Sequence, residues 1–176
     1  MIFLPAPLEG AFVIEMEKIE DDRGFFARTF CQQEFDAHGL VSVVRQCSLT
    51  FNREPGTLRG MHFQLPPHQE TKLVRCTAGA VFDVIVDLRP DSATFCGWFG
   101  TDLTVENRRM LYVPEGFAHG LLTLEAASEV FYQISEFYHP ESAAGVRWDD
   151  PAFGIDWPAE VRVIADRDRS FPDFVS

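Results

Sequence analysis

Short segments of alternating polarity, cut apart every few residues by Gly, Pro, Asn and Asp, constrain this chain more than any other feature. Successive side chains of an extended strand point to opposite faces, so a period of two marks strands with at least one buried face. The clearest segment runs from Ala80 to Leu88. Phe82, Val84, Val86 and Leu88 share one face there, and Val81, Asp83, Ile85 and Asp87 share the other. Lys72–Cys76 reads as a second strand with Lys72, Val74 and Cys76 together, and Glu129–Ser135 as a third with Val130, Tyr132 and Ile134 together. Helical signals are brief: Gln32–His38, stopped by Gly39, and a turn around Glu106–Arg109. The Trp148-Asp149-Asp150-Pro151 and Trp157-Pro158 region is expected as an irregular C-terminal wrap. Without an internal repeat, low-complexity tract or linker, the 176 residues predict one all-β domain, a sandwich or barrel with minor helix.

Charge and cysteine usage narrow the function. A formal net charge of −12 argues against a nucleic-acid partner, because phosphate backbones recruit basic surfaces. A few Arg and Lys side chains converging in one cleft can still bind a small diphosphate on an acidic protein. No apolar run approaches the roughly 18 residues of a membrane span. Met1-Ile2-Phe3-Leu4-Pro5 lacks the basic region and long apolar core of a signal peptide. Cys31, Cys47, Cys76 and Cys96 form no Cys-x-x-Cys pair, which suits reduced thiols and a cytoplasmic protein.

The chemistry concentrates in Arg59-Gly60-Met61-His62-Phe63-Gln64 and in Lys72. A base that removes a carbon-bound proton needs a cation nearby for the oxyanion that forms, and an anionic substrate needs a guanidinium anchor. Strict alternation places Arg59 and His62 on opposite faces, so the reading requires a bulge or bend at Gly60. A metal site from His62, His68, Glu70 and His119 is a second possibility. However, Gln64 occupies the second position of a His-x-His pair and is a poor ligand, and His68 follows Pro66-Pro67 in a loop. A site without metal is therefore expected. His119, in Pro114-Glu115-Gly116-Phe117-Ala118-His119-Gly120, reads equally well as functional or as a turn histidine bonded to backbone. Tyr132 is either a core tyrosine with its hydroxyl paired or a proton donor facing His62. Arg23 is either paired with Asp21 and Asp22 or a phosphate clamp on an N-terminal hairpin. Tyr138 is expected to be exposed.

Taken in order, several blocks carry a resemblance: Arg23-Gly24-x-Phe26, Gly56-x-Leu58-Arg59-Gly60-x-His62-x-Gln64, Lys72-Leu73-Val74 and Asp83-Val84-x-x-Asp87-Leu88-Arg89. Pro114-x-Gly116-Phe117-Ala118-His119-Gly120, Tyr132, Tyr138, Trp148-x-Asp150-Pro151-x-x-Gly154-Ile155-x-Trp157-Pro158 and Asp166-Arg167-Asp168-x-x-x-Pro172 follow. Over nearly its whole length the chain resembles the dTDP-4-dehydrorhamnose 3,5-epimerases. The resemblance implies a cupin-type jelly-roll barrel, a homodimer with exchanged N-terminal strands, and neither metal nor organic cofactor. It also implies a nucleotide-diphosphate sugar as substrate, with protons exchanged at carbons flanking a C4 ketone. His62 would be the base, Asp168 its orienting partner, Lys72 the stabiliser of the enolate and Tyr132 the proton donor on the opposite face. Arg59 and Arg23 would bind diphosphate, Arg23 from the partner subunit. His119 would bond the sugar and Tyr138 stack on the base, with Phe26, Gln46 and Arg167 completing the substrate-binding set. Arg28, Ser48, Ala143 and Arg167 depart from the family pattern, all toward the nucleotide end, which leaves open another nucleotide or a different exact sugar. Epimerisation at C3, C5 or both is open for a separate reason, since one base serves both carbons.

Overall fold

The alternating segments pair into two facing antiparallel sheets in the computed structural model, which describes residues 1–175. The strands are β1 (Ile2–Pro5), β2 (Phe12–Glu15), β3 (Lys18–Asp21), β4 (Gly24–Ala27), β5 (Gln46–Asn52), β6 (Thr57–Gln64) and β7 (Lys72–Ala78). They continue with β8 (Ala80–Asp87), β9 (Trp98–Thr104), β10 (Met110–Val113), β11 (Phe117–Thr123), β12 (Ser128–Ile134), β13 (Ala143–Gly145) and β14 (Val163–Ile164). Helix α1 spans Gln32–Ala37 and α2 spans Asp166–Arg169. One six-stranded sheet has the order β1-β2-β10-β7-β12-β5; the other runs β13-β6-β11-β8-β9, with β14 beside β6. This is the cupin-type jelly roll expected from the sequence. The hairpin β3–β4 pairs only with itself. Among the described residues no helix is long and apolar enough to cross a membrane.

Period-two patterning determines what each face buries. Val74 and Cys76 of β7, Val81 and Ile85 of β8, Leu121 of β11 and Val130 of β12 point between the sheets and form the barrel core. The opposite faces are apolar too, because each sheet is covered from outside. Met61, Val84, Val86 and Ala118 lie under the C-terminal wrap, against Val146, Phe153, Trp157 and Phe174. Leu73, Met110 and Tyr112 lie under α1, whose Phe35 is fully buried. The Asp87 carboxylate, also buried, ties down the β8–β9 connection through Arg89 Nη2 at 2.7 Å, Ser92 Oγ at 2.5 Å and Thr94 Oγ1 at 2.7 Å. Burial works against its charge, but these donors outweigh it and hold the carboxyl at a pKa of about 2.

The bulge demanded at Gly60 is present. His119 lies opposite His62 and Leu121 opposite Arg59, so β6 carries one more residue than β11 between these pairs. Gly60 has a φ of +140°, and a Cβ there would sit 2.6 Å from the Gly120 Cα. A Cβ on Gly120 would sit 2.5 Å from Met61 Sδ and 2.8 Å from the Arg59 carbonyl oxygen. The two backbones therefore approach as only glycine permits. Gly60→Ala and Gly120→Ala are each expected to destabilise the fold by about 2–3 kcal/mol or more. Thermal melts check this, and a Gly120→Ala protein melting like the wild type would contradict the close approach.

Candidate active site

The bulge turns Arg59 and His62 to the same side, into a cavity of about 360 Å³ between the sheets. His119 from β11 joins them on this wall, and Lys72 from β7, Tyr132 from β12 and Gln46 from β5 line the facing wall. Tyr138 closes one end from the loop after β12, and α2 brings Arg167 and Asp168 to the wall that carries His62. Of the expected site residues, Arg23 and Phe26 are not brought here. They sit on the β3–β4 hairpin, Phe26 70% exposed and Arg23 paired with Asp21 through Nη2 and Oδ2 at 2.5 Å.

His62 and Asp168 form a dyad, Nε2 to Oδ1 at 2.7 Å. The backbone N–H of Gly60 donates to Asp168 Oδ2 at 3.2 Å, so the bulge that orients His62 also holds its carboxylate. Burial pushes the Asp168 carboxyl up, but the His62 hydrogen bond, the His62 charge and the Gly60 N–H outweigh it and lower its pKa. An ionised carboxylate only accepts, so in the neutral form of the ring the proton sits on Nε2 and Nδ1 carries the lone pair.

A second imidazole–carboxylate pair lies beside the first. His119 Nε2 contacts Asp83 Oδ1 at 2.9 Å and Oδ2 at 3.0 Å, and both residues are buried. His119 is thus held by a carboxylate and not by backbone, and its ring meets that of Tyr132 edge-on at 6.0 Å. The Tyr132 hydroxyl is 3.4 Å from Thr50 Oγ1. Desolvation raises its pKa strongly, the Asp83 charge adds to this, and the Arg59 charge opposes it, so the phenol stays protonated at neutral pH.

Three cations face the cavity on an acidic protein: Arg59, Lys72 and Arg167. Arg59 Nε donates to Asn52 Oδ1 at 2.6 Å. Lys72 is buried, with Nζ 3.0 Å from Glu70 Oε1 and 3.3 Å from the His62 carbonyl oxygen. The Tyr138 N–H donates to Gln46 Oε1 at 2.5 Å, leaving the ring 58% exposed, as expected. Of the positions that depart from the family pattern, Ser48, Ala143 and Arg167 line the cavity. Arg28 lies elsewhere, paired with Glu34 at 3.1 Å.

The metal set considered from sequence does not assemble. His68 instead stacks on His139 with ring centroids 3.5 Å apart. Among the described residues, the one trio with metal-ligating atoms within 4.8 Å of one another is His68, His139 and Glu141. Sequence reasoning missed the partners of the cationic and imidazole groups, Glu70 and Asp83. Glu70 lies two residues before Lys72, in the connection that leads into β7, and a carboxylate so close to the lysine was the available signal.

Fold and pocket together define a cupin-type carbohydrate epimerase, an isomerase. The model of the dTDP-4-dehydrorhamnose 3,5-epimerase family matches residues 5–176. An enzyme of that name from Methanothermobacter thermautotrophicus is 44% identical over 172 residues, covering 96% of this chain and 92% of the relative. The solved dTDP-4-dehydrorhamnose 3,5-epimerase of Elizabethkingia anophelis superposes with a TM-score of 0.96 at 35% identity, covering 99% of this chain and 96% of that one. A Legionella pneumophila epimerase solved with dTDP-4-keto-L-rhamnose superposes at 0.88 and 35% identity, covering 95% and 89%. The chain belongs to the dTDP-4-dehydrorhamnose 3,5-epimerase family, whose members epimerise sugars in dTDP-sugar biosynthesis.

The lowered pKa of Asp168 carries a consequence for acid stability. Its contribution is fully present above the ordinary carboxylate range and is lost as pH falls through the lowered value. Asp168→Asn should therefore lose less stability than the wild type as pH falls from about 5 through the lowered Asp168 value. At neutral pH it should lose about 10²-fold or more in kcat while still binding dTDP. Denaturant titrations across pH and steady-state kinetics check both parts; parallel acid limbs for the two proteins would show that the dyad carries no linkage.

Proposed function

We propose that this pocket converts dTDP-4-keto-6-deoxyglucose to dTDP-4-dehydrorhamnose by deprotonation and reprotonation at C3 and C5 through a C4 enolate. The observation that carries the reading is the opposition of the His62–Asp168 dyad on one sheet to Lys72 and Tyr132 on the other. Nδ1 of His62 takes the proton next to the ketone, and the C–H electron pair moves into the carbonyl to give the enolate. The Lys72 ammonium balances the charge that develops on the C4 oxygen, an effect worth about 10²–10³ in rate. Tyr132 delivers its hydroxyl proton to the opposite face of the carbon, which inverts it. The phenolate regains a proton from solvent, and the imidazolium returns its own to solvent, so the cycle closes without redox change. His119, oriented by Asp83, hydrogen-bonds the sugar.

Arg59 and Arg167 bind the diphosphate, and Tyr138 and Gln46 bound the space for the base. A homodimer supplies Arg23 and Phe26 from the partner subunit. Two features support this. Strand β5 is an edge whose outer face exposes Leu49 and Phe51, at 53% and 51%, and the hairpin exposes Ile19 and Phe26, each at 70%. Two such surfaces on one chain fit an isologous exchange. Cys31, Cys47, Cys76 and Cys96 are all free, which suits a reducing cytoplasm.

Incubation with dTDP-4-keto-6-deoxyglucose in D₂O tests the chemistry. Deuterium at both C3 and C5 is the expected outcome. His62→Asn should abolish exchange and leave dTDP binding near normal, whereas retention of most turnover would remove His62 as the base. Label at one carbon only would make the enzyme a single-site epimerase, and label only with the CDP, GDP or UDP analogue would reassign the nucleotide. Co-expression of His62→Asn with Arg23→Ala tests the exchange. One site of the mixed dimer is intact if Arg23 acts in the partner's pocket, so activity should exceed that of either parent; no gain would place Arg23 in its own subunit's site or in none.

A further inference from the structure

The Lys72 ammonium sits where a flexible, strongly hydrated group is difficult to keep. Its four-carbon stem has many rotamers, and immobilising it costs conformational entropy. The pocket answers with a fixed carboxylate. Glu70 Oε1 lies 3.0 Å from Nζ, and the two side chains are only 12% and 10% exposed. Glu70 is itself immobilised, because its Oε2 accepts from Gln64 Nε2 at 3.0 Å. Gln64 is held in turn: the two protons of Nε2 are shared among Glu70 Oε2 and the carbonyls of His68 at 2.9 Å and Phe137 at 3.1 Å, and Oε1 accepts the His139 N–H at 2.7 Å. A chain of hydrogen bonds therefore runs from three backbone groups through Gln64 and Glu70 to the ammonium. The His62 carbonyl, at 3.3 Å, is the other contact on Nζ.

We infer that Glu70, anchored by Gln64, is a positioning residue for the epimerisation: it aims the Lys72 ammonium at the oxygen that becomes the enolate. The inference rests on the reading of Lys72 as the enolate stabiliser. A misplacement of about 1 Å in such a group costs about 10²-fold in rate, so the carboxylate acts on kcat through Lys72. Removing a negative charge from a pocket that binds a diphosphate does not weaken binding.

A double-mutant cycle over Glu70 and Lys72 tests this, with rates of deuterium incorporation at C3 and C5, KM, and dTDP affinity by calorimetry as readouts. Glu70→Ala should lower kcat about 10- to 100-fold with KM and dTDP affinity unchanged or tighter. The double variant should be no slower than Lys72→Ala alone, since Glu70 has nothing to position once the lysine is gone. Glu70→Gln keeps an acceptor for Nζ but turns its own NH2 onto Gln64 Nε2, donor against donor, so it should recover only part of the lost turnover. Glu70→Asp keeps the charge but withdraws it by one methylene and should recover less. Multiplicative losses in the double variant would overturn the inference. A fall confined to melting temperature and calorimetric stoichiometry, with normal turnover per active site, would make Glu70 merely structural. If Lys72→Ala is itself fast, the enolate reading fails; if Lys72→Ala is slow and Glu70→Ala is not, only the positioning role fails.

Discussion

The approach of β6 to β11 at Gly60 and Gly120 is the contact on which the rest of the site depends. One extra residue in β6 at this point turns Arg59 to the same side as His62, and the absence of two Cβ atoms lets the strands stay paired around it. The same bulge frees the Gly60 N–H to hold Asp168. It also sends Met61 outward, where its N–H and C=O exchange hydrogen bonds with Val146 at 3.3 and 3.0 Å and its side chain enters the outer core. The C-terminal wrap is thereby fastened to the strand that carries the base. Asp168 reaches His62 across a sequence separation of 106 because both are tied to the same bulge.

Around that fixed point, the site sets a carboxylate against each of His62, His119 and Lys72. An acidic chain of net charge −12 concentrates Arg59, Lys72 and Arg167 in one cleft, so an anionic ligand meets a cluster of positive charge there. Asp168 answers His62, Asp83 answers His119 and Glu70 answers Lys72. Among the described residues no buried side-chain nitrogen or oxygen lacks a hydrogen-bond partner. Such saturation suits a catalyst whose barrier falls through dipoles and charges already in place, since little reorganisation is left for the moment of proton transfer.

Much of the fold was legible from the period of two. The strand read over Ala80–Leu88 ends one residue earlier, at Asp87, and the face shared by Lys72, Val74 and Cys76 is the inward face of β7. The helix read over Gln32–His38 is α1, with His38 as its C-terminal cap. The wrap over residues 148–158 is irregular, as expected, and β14 and α2 follow it. Two residues of strand and four of helix carry no periodicity of their own; pairing with β6 and contact with the dyad make them. The doubt over His119 arose because a histidine beside two glycines reads alike as turn or ligand, and only the arrival of Asp83 from β8 decides it.

By itself the sequence determined the sheet class, the inward residues of each strand, the ordered motifs that name the family, and the need for a bulge at Gly60. These are local matters: side-chain direction follows from backbone periodicity, and motif spacing is read along the chain. The tertiary structure alone decided that Asp83 meets His119, that Glu70 turns onto Lys72 and which backbone groups hold Gln64. Asp83 and the Phe137 carbonyl lie 36 and 73 residues from the His119 and Gln64 side chains they meet, and the barrel that brings them together is set by the summed burial of three cores and not by any one segment.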